Sequence, residues 1–118
     1  MIIKIKNLAL RTIIGFNDWE REKKQDVIIN LEIETDAEKG LETDTVDDSV
    51  DYKTITKKIV NEVENTNFNL LEKLTNFILD LVMEDNKVKK ATIEVDKPYA
   101  LRFSESVSIT LTRERKNE

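Results

Sequence analysis

The apolar residues of this chain keep one spacing at its two ends and another in its middle, and that switch limits the folds open to it. Near the start, Ile3 and Ile5 alternate with Lys4 and Lys6, and the apolar phase then moves past Asn7 to Leu8, Leu10 and Ile14. A slip of one residue exchanges the two faces of a strand, so this shift predicts a bulge near Asn7 in one long strand closed by Gly15. The segment Phe16 to Lys24 is polar around Trp19 and reads as a loop with room for a helical turn. Val27, Ile29, Leu31 and Ile33 then alternate with Ile28, Asn30, Glu32 and Glu34, a second strand expected to pair antiparallel with the first. Asp36 to Asp48 is acidic, contains Gly40 and reads as a connection with little regular structure.

From about Tyr52 the period lengthens. Ile55, Ile59 and Val63 form one helical stripe, with Lys57, Lys58 and Glu62 off it, and Asn65-Thr66-Asn67 breaks the helix. A second helix is predicted from near Asn69 to Asp85-Asn86, burying Leu70, Leu71, Leu74, Phe77, Ile78, Leu81 and Val82. Alternation then returns. Ala91, Ile93 and Val95 mark a third strand, and Phe103, Val107, Ile109 and Leu111 a fourth, before a charged tail from Arg113 to Glu118 that is expected to fray. The order strand, strand, helix, helix, strand, strand is that of an α+β fold, a four-stranded antiparallel sheet with two helices on one face. Its outer face would be carpeted with Thr, Ser and Glu, and its edges are long. Edges of that length are normally covered, charged or paired with a neighbour, so edge-to-edge assembly into a closed barrel is expected.

Composition narrows the function classes. A chain of 118 residues is expected to make a single domain, residues 1–118, with one modest core. It is 39% hydrophobic and 36% charged, as a globular protein is, and its net charge of −5 argues against nucleic acid as a partner. No apolar run is long enough to span a bilayer and Met1 leads straight into a strand pattern, so neither a membrane nor a signal peptide is expected. The chain contains no cysteine and no histidine. That excludes a disulfide, a thiolate nucleophile, a Ser-His-Asp triad and a Cys/His zinc site, and it fits a cytoplasmic setting. Any proton transfer must use Glu, Asp, Lys, Tyr or water.

Four residues fit that requirement. Lys97 falls in phase with Ala91, Ile93 and Val95, where a hydrophobe is expected, and Pro98 ends the strand directly after it. An ammonium there is either snorkelling to solvent or held for chemistry, and the pattern alone favours snorkelling. Glu72 stands three residues after Asn69 at a helix start. The spacing favours a capping box; the alternative is a carboxylate beside free N–H donors, able to accept from a ligand's amino and imino groups. Glu20 lies in the charged loop Asp18-Trp19-Glu20-Arg21-Glu22, where solvation is the simplest account; Trp19 in that loop needs something to cover it. Tyr52 opens the first helix, where packing is the usual role and proton donation the alternative.

With these residues in view, the chain resembles the dihydroneopterin aldolase family, which includes dihydroneopterin triphosphate 2′-epimerase. The resemblance runs from about Ile3 to Leu111. It is carried by LRTIIGF at Leu10 to Phe16, DWE at Asp18 to Glu20, QDVIIN at Gln25 to Asn30 and DYKTITKKIV at Asp51 to Val60, then by VENTNFNLLEKLT at Val63 to Thr75 and DKPYALRFSESVSITL at Asp96 to Leu111. DWE and Lys97-Pro98 look aldolase-like. KTITKKIV, VENTNFNLLEKLT and ALRFSESVSITL look closer to the epimerase branch, and Tyr99 departs from both branches.

The resemblance implies the tunnelling fold, in which four subunits join their sheets into a barrel and two rings stack into a homo-octamer with active sites at subunit interfaces. It implies a small-molecule pterin substrate, no metal, no other cofactor and no Schiff base. Carried over by position, Lys97 corresponds to the catalytic lysine, Glu20 to the acidic partner at the reacting end, and Tyr52 to the tyrosine that assists proton transfer, in a pocket completed by the neighbouring chain. Glu72 corresponds to the carboxylate that anchors the pterin, with the backbone at Leu71 and Glu72 fixing the ring. A carboxylate clamp opposite Lys97 from an adjoining protomer is expected. Arg11, Arg102 and Lys53 are candidates to meet a triphosphate.

Overall fold

A computed structural model describes residues 1–116. The alternating segments form long strands. β1 (Ile2–Ile14) pairs antiparallel with β2 (Gln25–Glu34), and its register shifts between Ile5 and Leu8, where Asn7 takes a φ of 53°. Asn tolerates that left-handed conformation, and its N–H donates to Asn30 Oδ1 at 2.9 Å, so the bulge is pinned from across the ladder. Beyond the bulge, Leu10, Thr12 and Ile14 face the core. Thr12 is fully buried because its hydroxyl reaches the carbonyl of Val63 at 2.7 Å, which ties the end of the first long helix to β1.

The sheet differs from the four-stranded antiparallel expectation. It has five strands in the order β3-β1-β2-β4-β5, because the break after the first long helix is extended. There β3 (Asn67–Phe68) pairs parallel with Ile13 and Ile14 at the end of β1. This short strand gives β1 partners just where it leaves the sheet, and Gly15 N continues the pairing to Phe68 O at 3.1 Å. β4 (Lys90–Pro98) lies between β2 and β5 (Ser106–Glu114), antiparallel to both. Pro98 is the last residue of β4, as its missing donor requires. The fourth predicted strand begins later than expected: Phe103 is 95% exposed in the turn ahead of β5.

The acidic connection is more ordered than its composition indicates. It holds the short helix α1 (Gly40–Thr43), closed by Asp44 at φ 56°, and a 3-10 turn over Val46–Asp48. Two long helices follow on the apolar face. α2 (Tyr52–Glu64) buries Ile55, Ile59 and Val63, and Asp51 caps it by accepting from the N–H groups of Lys53 and Thr54. α3 (Leu71–Met83) buries Leu71, Leu74, Thr75, Ile78, Leu79 and Val82. Leu71, Leu74, Ile78 and Val82 are buried as expected, but the rest of the predicted face is not. Leu70 stands before the helix with extended backbone and is half exposed, Phe77 and Leu81 flank the core, and Leu79 enters it.

The predicted fraying tail is also corrected as far as Arg115. Arg113 and Glu114 belong to β5, and the Arg115 guanidinium donates to the carbonyls of Met83, Asp85 and Val88. Asn117 and Glu118 lie outside the described residues. No helix among the described residues is long and apolar enough to cross a membrane. Among the described residues β3 covers only Ile13 and Ile14 of the outer edge of β1, and β5 forms the opposite edge of the sheet.

Candidate active site

Because β1, β2 and β4 alternate in direction, the end of β1, the start of β2 and the end of β4 share one rim of the sheet. Gly15 turns the chain off β1 with a φ of +122°, and the 3-10 turn Asp18–Arg21 folds Glu20 back beneath it. Glu20 is 4% exposed, which corrects its reading as part of a solvated loop. Gln25, at the start of β2, donates to Glu20 Oε2 at 3.2 Å and to the carbonyl of Ile14 at 2.8 Å. The backbone N–H and side-chain amide of Asn17 both donate to Oε1, at 3.2 and 2.7 Å. The fourth donor is the Lys97 ammonium, in a short ion pair with Oε2.

Lys97 is therefore not snorkelling. Its side chain is 13% exposed and turns inward to the carboxylate from the last turn of the ladder, where Lys97 pairs with Val107. Burial acts to raise the Glu20 carboxyl, but the bonds from Lys97, Gln25 and Asn17 outweigh it and hold the group at about 2, against an ordinary 4.5. The carboxylate stays ionised at neutral pH and its lone pairs are occupied. Withdrawing two charges from water costs several kcal/mol per ion in a dry interior, so such a pair is poor evidence of a stability device. Its chemical competence is to aim an ammonium at the rim.

Arg21 joins this cluster to the start of α3. Its guanidinium donates to Gly15 O, Phe68 O and Asn67 O, at 3.2, 3.2 and 2.8 Å. The hollow beside it, about 400 Å³, is lined by Arg21, Asn67, Phe68, Asn69, Leu70 and Lys73. Leu71 is buried and Glu72 exposed in the first turn of α3. No side chain caps this helix, so the box between Asn69 and Glu72 is not formed, and the Glu72 carboxylate is not spent on its own backbone. Arg21 therefore ties the turn that carries Glu20 to the segment leading into α3, while neither Glu72 nor Lys97 lines the hollow between them.

Tyr52 is not there. α2 runs from Tyr52 to its far end at Glu64, where the carbonyls of Val63 and, just past the helix, Thr66 meet Thr12 near the site rim. A helix of 13 residues at 1.5 Å per residue puts Tyr52 roughly 20 Å from that rim. It is 52% exposed and lines a separate hollow with Val46, Ser49, Val50, Asp51 and Lys53. Of the three cations considered for a phosphate, Arg11 is committed to Lys24 O and Asp26, Lys53 lies beside Tyr52, and Arg102 stacks over Phe103 on the exposed β4–β5 turn. Trp19 remains 62% exposed and Phe16 71%, both on the loop that carries Glu20.

The sequence profile of the FolB dihydroneopterin aldolase family matches residues 3–112. The chain belongs to this family. Within it, a dihydroneopterin triphosphate 2′-epimerase of Pseudomonas aeruginosa is 51% identical, over 96% of this chain and 92% of the relative. The enzyme of the same name from Escherichia coli K12 is 46% identical, over 97% and 95%. The crystal structure of E. coli dihydroneopterin aldolase in complex with neopterin superposes with a TM-score of 0.90 at 27% identity, covering 96% of this chain and 98% of that one. Family relatives are thus enzymes of both names, and the α+β fold is shared with the aldolase.

Gln25, Asn17, Arg21 and Gly15 were not singled out from the sequence as site residues. Each contacts Glu20 or β3 across a turn, and nothing in local periodicity marks such a contact. The one available signal was compositional: a Gly ending a strand five residues ahead of a Glu allows the carboxylate to press against bare backbone.

Proposed function

We propose that this chain is a pterin-processing enzyme that acts on 7,8-dihydroneopterin or its triphosphate by retro-aldol chemistry, epimerising C2′ and also cleaving the side chain. The observation that carries this reading is the Lys97–Glu20 pair, buried at a sheet rim whose Glu20 turn is tied by Arg21 to β3, the segment just before α3. The higher identity to the E. coli epimerase, 46% against 27% for the aldolase of that organism, supports the epimerase branch.

The substrate carries its own electron sink. When the C1′–C2′ bond breaks, its electron pair flows into the N5=C6 imine, the 2′-hydroxyl loses its proton, and C2′ becomes an aldehyde. The Lys97 ammonium gives a proton to N5 as charge develops there, and the amine so formed takes the 2′-hydroxyl proton back through ordered water. Glu20 fixes its position. Glu72 accepts from the pterin's amino group and ring N–H, with the backbone at Leu71 and Glu72 completing the clamp. If the aldehyde leaves, carbon C1′ is protonated, giving 6-hydroxymethyl-7,8-dihydropterin and glycolaldehyde (or, from the triphosphate, its phosphorylated counterpart). If it rotates and C1′ attacks its other face, the 2′ epimer forms.

Tyr52 assists the carbon protonation from a neighbouring copy. A distance of about 20 Å from the rim of its own chain supports that assignment. The long sheet edges support joining four sheets into a barrel and two rings into an octamer, the arrangement that would bring one copy's Tyr52 to another's Lys97.

Incubation with 7,8-dihydroneopterin, and separately with its triphosphate, followed by chromatography of the pterins and trapping of the aldehyde, tests the reading. The expected products are the 2′ epimer and a smaller amount of cleaved pterin. If neither substrate is converted by the assembled protein, the proposal is wrong.

A further inference from the structure

Three described residues other than glycine have a positive φ, and one of them lacks a local reason for it. Asn7 and Asp44 carry short polar side chains that suit the left-handed region. Tyr99, at φ 60°, does not. It is 88% exposed, so packing within the chain does not explain an aromatic ring where a glycine would sit without strain. The ladder on either side fixes where it stands. Lys97 pairs with Val107 and Pro98 with Ser106, and Tyr99 N donates to Glu105 O at 3.1 Å to close the turn. The strained residue therefore stands two positions after Lys97, on the same rim.

We propose that the Tyr99 ring is the outer wall of the Lys97 site and determines how often the cleaved aldehyde escapes before it is rejoined. This rests on the retro-aldol reading above. Once the C1′–C2′ bond has broken, epimerisation and cleavage share one intermediate, and they differ only in whether the small aldehyde stays. Rejoining requires the aldehyde to turn over and present its other face to C1′ while still confined. Cleavage requires only that it diffuse out and that C1′ take a proton. A bulky side chain on the rim beside Lys97 slows escape without touching the bond-breaking step, so it favours the epimer. Tyr99 is a specificity-determining residue in this account and takes no part in proton transfer.

The experiment is a product ratio on the assembled protein with 7,8-dihydroneopterin, comparing the parent, Tyr99→Gly and Tyr99→Phe. Glycine relieves the backbone strain, so the turn is retained. The expected result is a rise of roughly tenfold in cleaved over epimerised product for Tyr99→Gly, the scale on which a hydrophobic wall discriminates. Tyr99→Phe, which keeps the ring, should give the parent's ratio. Added deuterated glycolaldehyde should enter the re-formed substrate more readily in Tyr99→Gly than in the parent. An unchanged ratio in Tyr99→Gly overturns the assignment, as does a Phe variant that behaves like Gly. A change of oligomeric state by sedimentation, with the ratio unmoved, would overturn it too and assign the ring to a subunit contact. A parent that converts neither substrate would instead bring down the retro-aldol reading itself, and this inference with it.

Discussion

The Glu20 carboxylate occupies the space that a side chain on Gly15 would need. A Cβ built there would lie 2.2 Å from both Cδ and Oε2 of Glu20, and the φ of +122° is one that L side chains rarely adopt. Gly15→Ala should therefore destabilise the fold by at least about 2 kcal/mol and unseat Glu20. Denaturant unfolding and turnover together check this: both should fall, whereas a loss of activity at full stability would mean that the overlap relaxes without cost.

The Glu20 shift sets a pH window. Its carboxyl is held at about 2 in the folded chain, against 4.5 ordinarily, so the unfolded chain binds the extra proton first as pH falls. The stabilisation is complete above about pH 4.5 and is lost as pH drops towards 2. Glu20→Gln should remove this dependence, so acid unfolding curves of parent and variant should converge in that window. Parallel curves from pH 5 to 2 would show that the carboxylate is not held as described.

Lys97→Ala should cost on the order of 10²–10⁴-fold in kcat, the range of general acid–base contributions, while pterin still binds. Lys97→Gln, which keeps a donor to Glu20, separates chemistry from the harm done by leaving that carboxylate unpaired. Steady-state rates and titration of pterin fluorescence provide the readouts; an unchanged kcat in either variant rules out the assigned role.

Glu72→Ala should leave thermal stability within about 0.5 kcal/mol, since this exposed residue makes no cap, and should weaken pterin binding. A lower Tm with unaltered affinity would revive the capping role.

Tyr52→Phe and Lys97→Ala chains, each impaired alone, should complement one another when co-expressed. Mixed assemblies would contain sites with Tyr52 from one copy and Lys97 from the other. No recovery above either single variant would count against a site that takes Tyr52 from one copy and Lys97 from another.

The two kinds of periodicity carried most of the architecture. The bulge at Asn7, the α2 stripe of Ile55, Ile59 and Val63, and the stop at Pro98 were all legible, since each follows from a rule of side-chain spacing or backbone chemistry acting over a few residues. β3 was not, because two residues have no period and Asn67–Phe68 becomes a strand only through the free edge of β1. The α3 face was misphased at Leu70, Phe77 and Leu79, since a helix this apolar offers more hydrophobes than one stripe can bury.

By itself the amino-acid sequence determined the order of the four long strands and two long helices, the family and the candidates Lys97, Glu20, Tyr52, Glu72 and Leu71, all properties of residue type and spacing. Only the tertiary structure decided that Lys97 turns inward to Glu20, that Asn69 does not cap the helix of Glu72, and that Tyr52 stands a helix length from the rim. Those outcomes depend on burial and on donors arriving from β2, β4 and the turn after Gly15. Segments far apart along the chain settle them, and no local pattern encodes such a meeting.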